Sequence, residues 1–295
     1  MFLGDLADAH IHLGVALSTY DRERDSEVRE KFAHDTGVAA RVFLALASWL
    51  EGDPQRANRL IGEATALADD LGHLPSVIHT LWYKVYIQCL QNDPESVLID
   101  AERLLGTSQQ YGVELFVALS DAALAWARGR LGDPGRGANE LRGLLTDYRS
   151  HGNRLWVPTF LALLAELEDR AGDTERALAS LGEGLATANE SGQSYTEGFL
   201  NRIRRDLLLK LNPDDPGPAI KAYRVAIVVS ERHGTRIYKL LASLSLAKIY
   251  LTTGRPADAH AVLAPALEGF APTSEFPQIE EALQMIAAID SGPHL

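Results

Sequence analysis

The sequence predicts an all-α protein, a right-handed superhelical solenoid of helix hairpins that repeat about every 40 residues. Three observations predict it. One turn phrase returns at a fixed interval, as LEGDPQRA from Leu50 to Ala57 and then as LQNDPESV, RLGDPGRG and RAGDTERA. A second set of glycines stands midway between those turns. The segments between are rich in Ala, Leu, Glu and Lys, good helix formers, and their apolar residues recur at three and four positions with no alternating runs.

The interval is regular enough to count. Turn centres at Gly52, Asn92, Gly132, Gly172, Asp214 and Gly254 are spaced 40, 40, 40, 42 and 40 residues apart. The intermediate glycines, Gly72, Gly112, Gly152, Gly192 and Gly234, are spaced 40, 40, 40 and 42. Both series absorb one two-residue slip, in LNPDDPGPA. Each unit is therefore two helical segments of roughly 18 residues, a supersecondary unit that buries its apolar face only by stacking on its neighbours.

The turn phrase has a local physical reading. Gly52 sits just past a helix end, where a left-handed backbone is cheap for glycine. Asp53 accepts a bond from the free N–H groups of the next helix. Pro54 occupies the first turn, where no N–H is missed. Asn92-Asp93-Pro94 and Gly132-Asp133-Pro134 repeat the logic. Gly172-Asp173-Thr174 keeps the glycine and the cap, and Gly254-Arg255-Pro256 keeps the stop and the start without the cap.

Packing rows follow the same period. Five positions after each turn centre stand Ala57, Val97, Gly137, Ala177, Ala219 and Ala259. Four further on come Ile61, Ala101, Leu141, Leu181, Tyr223 and Leu263. Seven before each centre stand Ala45, Val85, Ala125, Ala165, Leu207 and Ala247. Small residues at matching places let the two helices of a hairpin approach closely, and larger ones fill the groove. This rhythm resembles the tetratricopeptide repeat, with longer helices and a longer period. The domain organisation that results is an incomplete helical repeat and linker over residues 1–36, about six hairpins over 37–270, and a loop and capping helix over 271–295. The first part holds a helix of about Leu6–Tyr20 and the linker DRERDSEVREKF. The last holds the loop APTSEFP and a helix of about Pro277–Ile289.

A closer resemblance runs from about Tyr20 to Ile289. It is carried by HDTGVAARVFLALASWLEGDPQRA, by SYTEGFLNRIRRDLLL and by SLSLAKIYLTTGRPADAHAVLAPALEGF. These phrases resemble the C-terminal helical repeats of large bacterial signalling proteins that carry a predicted ATPase module, often behind a class III adenylate cyclase or a DNA-binding domain. In the second phrase Glu197, Leu200, Asn201-Arg202 and Arg205-Asp206 stand where those proteins have an acidic residue, a leucine, a His-Arg pair and a later Gly-Glu. The resemblance implies attachment to an ATPase or cyclase module rather than a chemistry of this chain.

Composition excludes several classes. The net charge of −12 disfavours phosphate-backbone binding and anionic membrane surfaces, so no nucleic acid and no membrane partner is expected. The single cysteine, Cys89, permits no intramolecular disulfide and fits a reducing compartment. The start MFLGDLADAH lacks a basic n-region and a long apolar run, so neither a signal peptide nor a membrane span is expected, and the location reads as cytoplasmic.

Catalytic and metal motifs are missing at the level of spacing. Gly132 to Gly137 has the glycine interval of a phosphate loop, but Ala138-Asn139 follows where Lys-Ser/Thr is needed. His10 and His12 are two apart and diverge on a helix. His34, His151 and His233 fit helix ends. His73 and His79 have no visible third ligand. Cys89 reads as a buried structural thiol. No catalytic residue, metal or cofactor is expected, and the chain reads as a non-enzyme.

Two functions of different class remain. One is a non-catalytic scaffold that binds a protein, a peptide or its own upstream ATPase or cyclase domain. The other is a sensor whose concave groove takes a small anionic or aromatic metabolite. The groove candidates are Trp82, Tyr83, Tyr86, Arg202 and Arg205. Adjacent aromatic residues face different directions, so Trp82-Tyr83 with Tyr86 would send at least one ring toward the groove. Arg202 and Arg205 share a helix face. Their bland alternative is pairing with Glu197, Asp206 or acids on a neighbouring helix. The first helix, LADAHIHLGVALSTY, is amphipathic at the end of a stack, so its outer face calls for a cover, either an upstream domain or a second copy in a homodimer.

Overall fold

A computed structural model describes residues 6–32, 34–212, 215–270 and 276–292. Among them the regular structure is entirely helical. The helices are α1 (Leu6–Thr19), α2 (Ser26–Phe32), α3 (Thr36–Leu50), α4 (Pro54–Leu71), α5 (Leu74–Gln91), α6 (Pro94–Gln110), α7 (Glu114–Leu131) and α8 (Pro134–Ser150). They continue as α9 (Val157–Arg170), α10 (Thr174–Ser191), a 3₁₀ turn (Ser194–Thr196), α11 (Glu197–Leu211), α12 (Gly217–His233), α13 (Arg236–Thr252), α14 (Pro256–Leu267) and α15 (Pro277–Ser291). Each helix from α3 to α15 packs on the next in sequence, as a stack of hairpins does.

Caps set these boundaries. Asp53, Asp93, Asp133 and Asp173 each accept a bond from a backbone N–H in the first turn of the helix that follows. Gly52, Asn92, Gly172 and Gly254 take the left-handed conformation that ends a helix. Gly132 departs from the set, with φ −134° and ψ −110°, although its N–H still bonds the Arg128 carbonyl. The turn centre at Asp214 and the loop stretch 271–275 lie outside the described residues. The expected linker near residue 26 instead contains a two-turn helix, α2. Arg29 on that helix lies 3.3 Å from the fully buried Asp35 carboxylate, which also caps α3.

The two helices of a pair differ in kind. In α4 the buried residues are Ala57, Leu60, Ile61, Ala64 and Ala68, one stripe at helical spacing with polar residues elsewhere. In α5 the run from Ile78 to Tyr83 is buried without a break. A helix that is buried all round is enclosed by others. Accordingly α3, α5, α7, α9, α11 and α13 contact one another in order and form the inner layer, while α4, α6, α8, α10, α12 and α14 lie outside them. Every residue of the three packing rows is buried, and at Gly137 the helices approach closely. A Cβ built on Gly137 would lie 2.5 Å from the Gly129 Cα.

The ends of the stack meet. Helix α13 touches α3, the first inner helix. The Trp49 ring of α3 packs edge-on against Phe276 at the start of α15, 5.9 Å between centroids. A side chain at Gly52 would collide with Phe270, and Leu6 of α1 lies against Gly234. His10 on α1 bonds Glu51 at 2.7 Å. The inner layer is thus a closed circuit of six helices, with Trp82, Tyr83, Tyr86, Trp156, Tyr195 and Tyr238 among its buried side chains.

Candidate functional site

Two places hold the residues singled out from the sequence. The first is the aromatic interior. Trp82, Tyr83 and Tyr86 of α5 are all buried. Trp82 packs edge-on against Trp156 at 5.0 Å and is tilted against Tyr86 at 5.7 Å. Tyr83 meets the Phe43 ring at 5.3 Å and His79 at 4.9 Å. The Tyr86 hydroxyl lies 2.7 Å from the Thr159 hydroxyl and 2.8 Å from that of Tyr195, which joins α5 to α9 and to the 3₁₀ turn before α11. Burial pushes the Tyr83 and Tyr86 phenols well above their ordinary range. Trp82, Tyr83 and Tyr86, of which at least one was expected to face a groove, are each enclosed by these neighbours. In this structure they act as packing.

The second place is the basic run on α11. Arg202 and Arg205 turn to different partners. The Arg202 guanidinium donates to Glu166 on α9 at 3.1 Å and stacks over Phe199 at 5.2 Å. Arg205 is 1% exposed and stacks over Tyr223 of α12 at 4.9 Å, with the Asp206 carboxylate 3.7 Å from its Nε. Its Nε and Nη1 have no hydrogen-bond acceptor. Burial pulls its pKa down to about 10 against the opposing pull of Asp206 and Tyr223. Arg204 between them is exposed. Arg202 and Arg205 therefore do not converge on one ligand.

Sequence reasoning missed the residues that do converge with Arg202. Arg130, near the end of α7, lies 3.5 Å from the other oxygen of Glu166, bonds Asn92 and stacks over Trp126. Its side chain is 9% exposed. A signal existed. The position two before the turn centre holds Leu50 and Leu90 in the first two pairs but Arg130 and Arg170 in the next two.

Two other buried carboxylates are paired locally. Glu168, 2% exposed, receives Arg142 at 2.6 Å and the Ser180 hydroxyl at 2.6 Å. Asp100 pairs with Lys84 and accepts from Gln88, two residues of α5 that line an outer cleft with α4 and the start of α6. Cys89 is buried, and burial with the nearby Glu166 charge pushes its thiol up, the reverse of a nucleophile's setting. Among the described residues, no group of three His, Cys, Asp or Glu is placed to hold a metal ion, and no helix is long and apolar enough to cross a membrane.

No protein-family model matches the chain, and no curated protein matches it.

Proposed function

We propose that the chain is a non-catalytic scaffold, a right-handed superhelix of tetratricopeptide-like hairpins with a period of about 40 residues, that mediates a protein–protein or intramolecular regulatory interaction. The setting we propose is bacterial signalling, with an ATPase or cyclase module as the partner and the cytoplasm as the place. The observation that carries the reading is the outer face of α1. Ile11 and Val15, one turn apart, are 63% and 56% exposed, while Leu6 and Ala9 on the opposite side are buried. An apolar stripe that a helix keeps in water is a surface that a partner covers. The family resemblance, with its module lying upstream of the repeats, makes that module the expected occupant.

The test is site-specific photo-crosslinking in cells from a probe at position 11, with a probe at exposed Thr146 as control. The expected result is one abundant crosslinked protein or upstream segment carrying an ATPase or cyclase module. A crosslink pattern identical to that of the control probe rejects the reading.

A further inference from the structure

The junction of α7, α9 and α11 carries more positive charge than the fold needs. Arg130 and Arg202 grip opposite oxygens of one carboxylate, Glu166, at 3.5 and 3.1 Å. Arg170, one helical turn beyond Glu166, adds a third guanidinium whose field reaches Arg130 together with that of Arg202. Glu95 adds a weaker negative pull than Glu166. Three cations around one close carboxylate leave a surplus of about two charges in a chain whose net charge is −12.

The pairing is also incomplete. The Arg130 side chain is more than nine-tenths buried, yet its Nε has no acceptor. The Trp126 Nε1–H beneath it, also buried, has none either. Buried guanidinium donors without acceptors are costly, and charges packed against like charges add to the cost. Solvent reaches the cluster, because the Arg202 side chain is 23% exposed and Arg170 lies open at the helix end.

We propose that this cluster is a binding site for a small phosphoryl dianion, held by Arg202 and Arg170 at the solvent side, with the buried Arg130 guanidinium behind them adding its positive field. Two negative charges match the surplus. Several acceptor oxygens match the fork geometry of arginine, which recognises phosphate through paired N–H donors. Glu166 orients the two inner guanidinium groups and is not a ligand. The site lies apart from the α1 face, so it stands whether or not that face binds a partner.

The probe is inorganic phosphate, titrated into the full chain at constant ionic strength with chloride as the balancing ion, and read by isothermal titration calorimetry and by the thermal midpoint. Phosphate should raise the midpoint where chloride and monoanionic nitrate do not. Arg202→Gln and Arg170→Gln should each weaken phosphate by roughly tenfold, the worth of one charge-assisted contact. Glu166→Gln should tighten it, because a competing negative charge is removed while the side chain keeps its shape. Arg149→Gln, which breaks only a surface pair with Glu183, should change nothing. If Arg130→Gln fails to fold, the two more exposed arginines still decide the matter. Equal responses to phosphate and chloride overturn the proposal. So does a phosphate response that survives Arg202→Gln and Arg170→Gln together.

Discussion

His79 should make the protein acid-sensitive by an amount that follows from its surroundings. Its ring is 8% exposed and stands edge-on to His34 at 4.7 Å and to Phe43 at 5.7 Å, with Tyr83 at 4.9 Å. Burial, with the neighbouring His34 charge, pulls its pKa from 6.5 down to about 3. The unfolded chain therefore binds the His79 proton between those values while the folded chain does not. Stability is full above 6.5, falls as pH drops through 6.5, and stops falling near 3. Between pH 8 and pH 5 the linkage integral gives about 2 kcal/mol lost from this one group. Because the folded value lies well below 5, the unfolded side alone sets that figure. The assay is urea unfolding of the native chain and of His79→Phe at both pH values. Phe keeps the ring contacts and cannot be protonated. Wild type should lose about 2 kcal/mol more than the variant on acidification. Equal losses would refute the burial argument.

Three other outcomes are expected. Gly137→Ala should destabilise by about 3 kcal/mol because its new methyl meets the Gly129 backbone, whereas Gly143→Ala, on an open face of the same helix, should stabilise by about 0.5–1 kcal/mol, both by thermal unfolding. Tyr86→Phe removes a hydroxyl shared by Thr159 and Tyr195 and should cost about 1–2 kcal/mol in urea, with a loss larger than 4 or none at all contradicting the bonding described. Arg205→Met should be neutral or stabilising, by up to about 2 kcal/mol, because it replaces a desolvated guanidinium lacking two acceptors with an apolar chain of similar length. A loss above about 2 kcal/mol would show that the Tyr223 stack and Asp206 outweigh that desolvation.

The hairpins were legible because their signals are local. A glycine or asparagine past a helix end, an aspartate cap and a proline in the first turn act within four residues, and Asp53, Asp93, Asp133 and Asp173 cap as their positions imply. The buried rows were legible for the same reason, since periodicity within one pair places Ala45 and Ala57, and both are buried. Closure was not. Trp49 against Phe276 and Leu6 against Gly234 join residues more than 200 positions apart, and small rotations accumulated over six pairs decide whether such groups meet. That is why Trp82, Tyr83 and Tyr86, read as neighbours of a groove, lie in a filled interior. Arg202 and Arg205 share a helix face, yet a single turn of separation sends one to the inner layer and the other toward an outer helix. Arg130 escaped notice because its significance comes from Glu166 on another pair.

The meeting of α3 with α13 also limits how this sequence can change. An open row of hairpins tolerates gain or loss of a unit, since each unit needs only the one before and the one after. A closed circuit does not. Deleting one pair would leave Trp49 and Phe276 without each other and open the aromatic interior to water, and adding one would leave no place at the seam for the extra inner helix. The number of units is therefore as much a property of the fold as any side chain in it, and length variation should be confined to the turns.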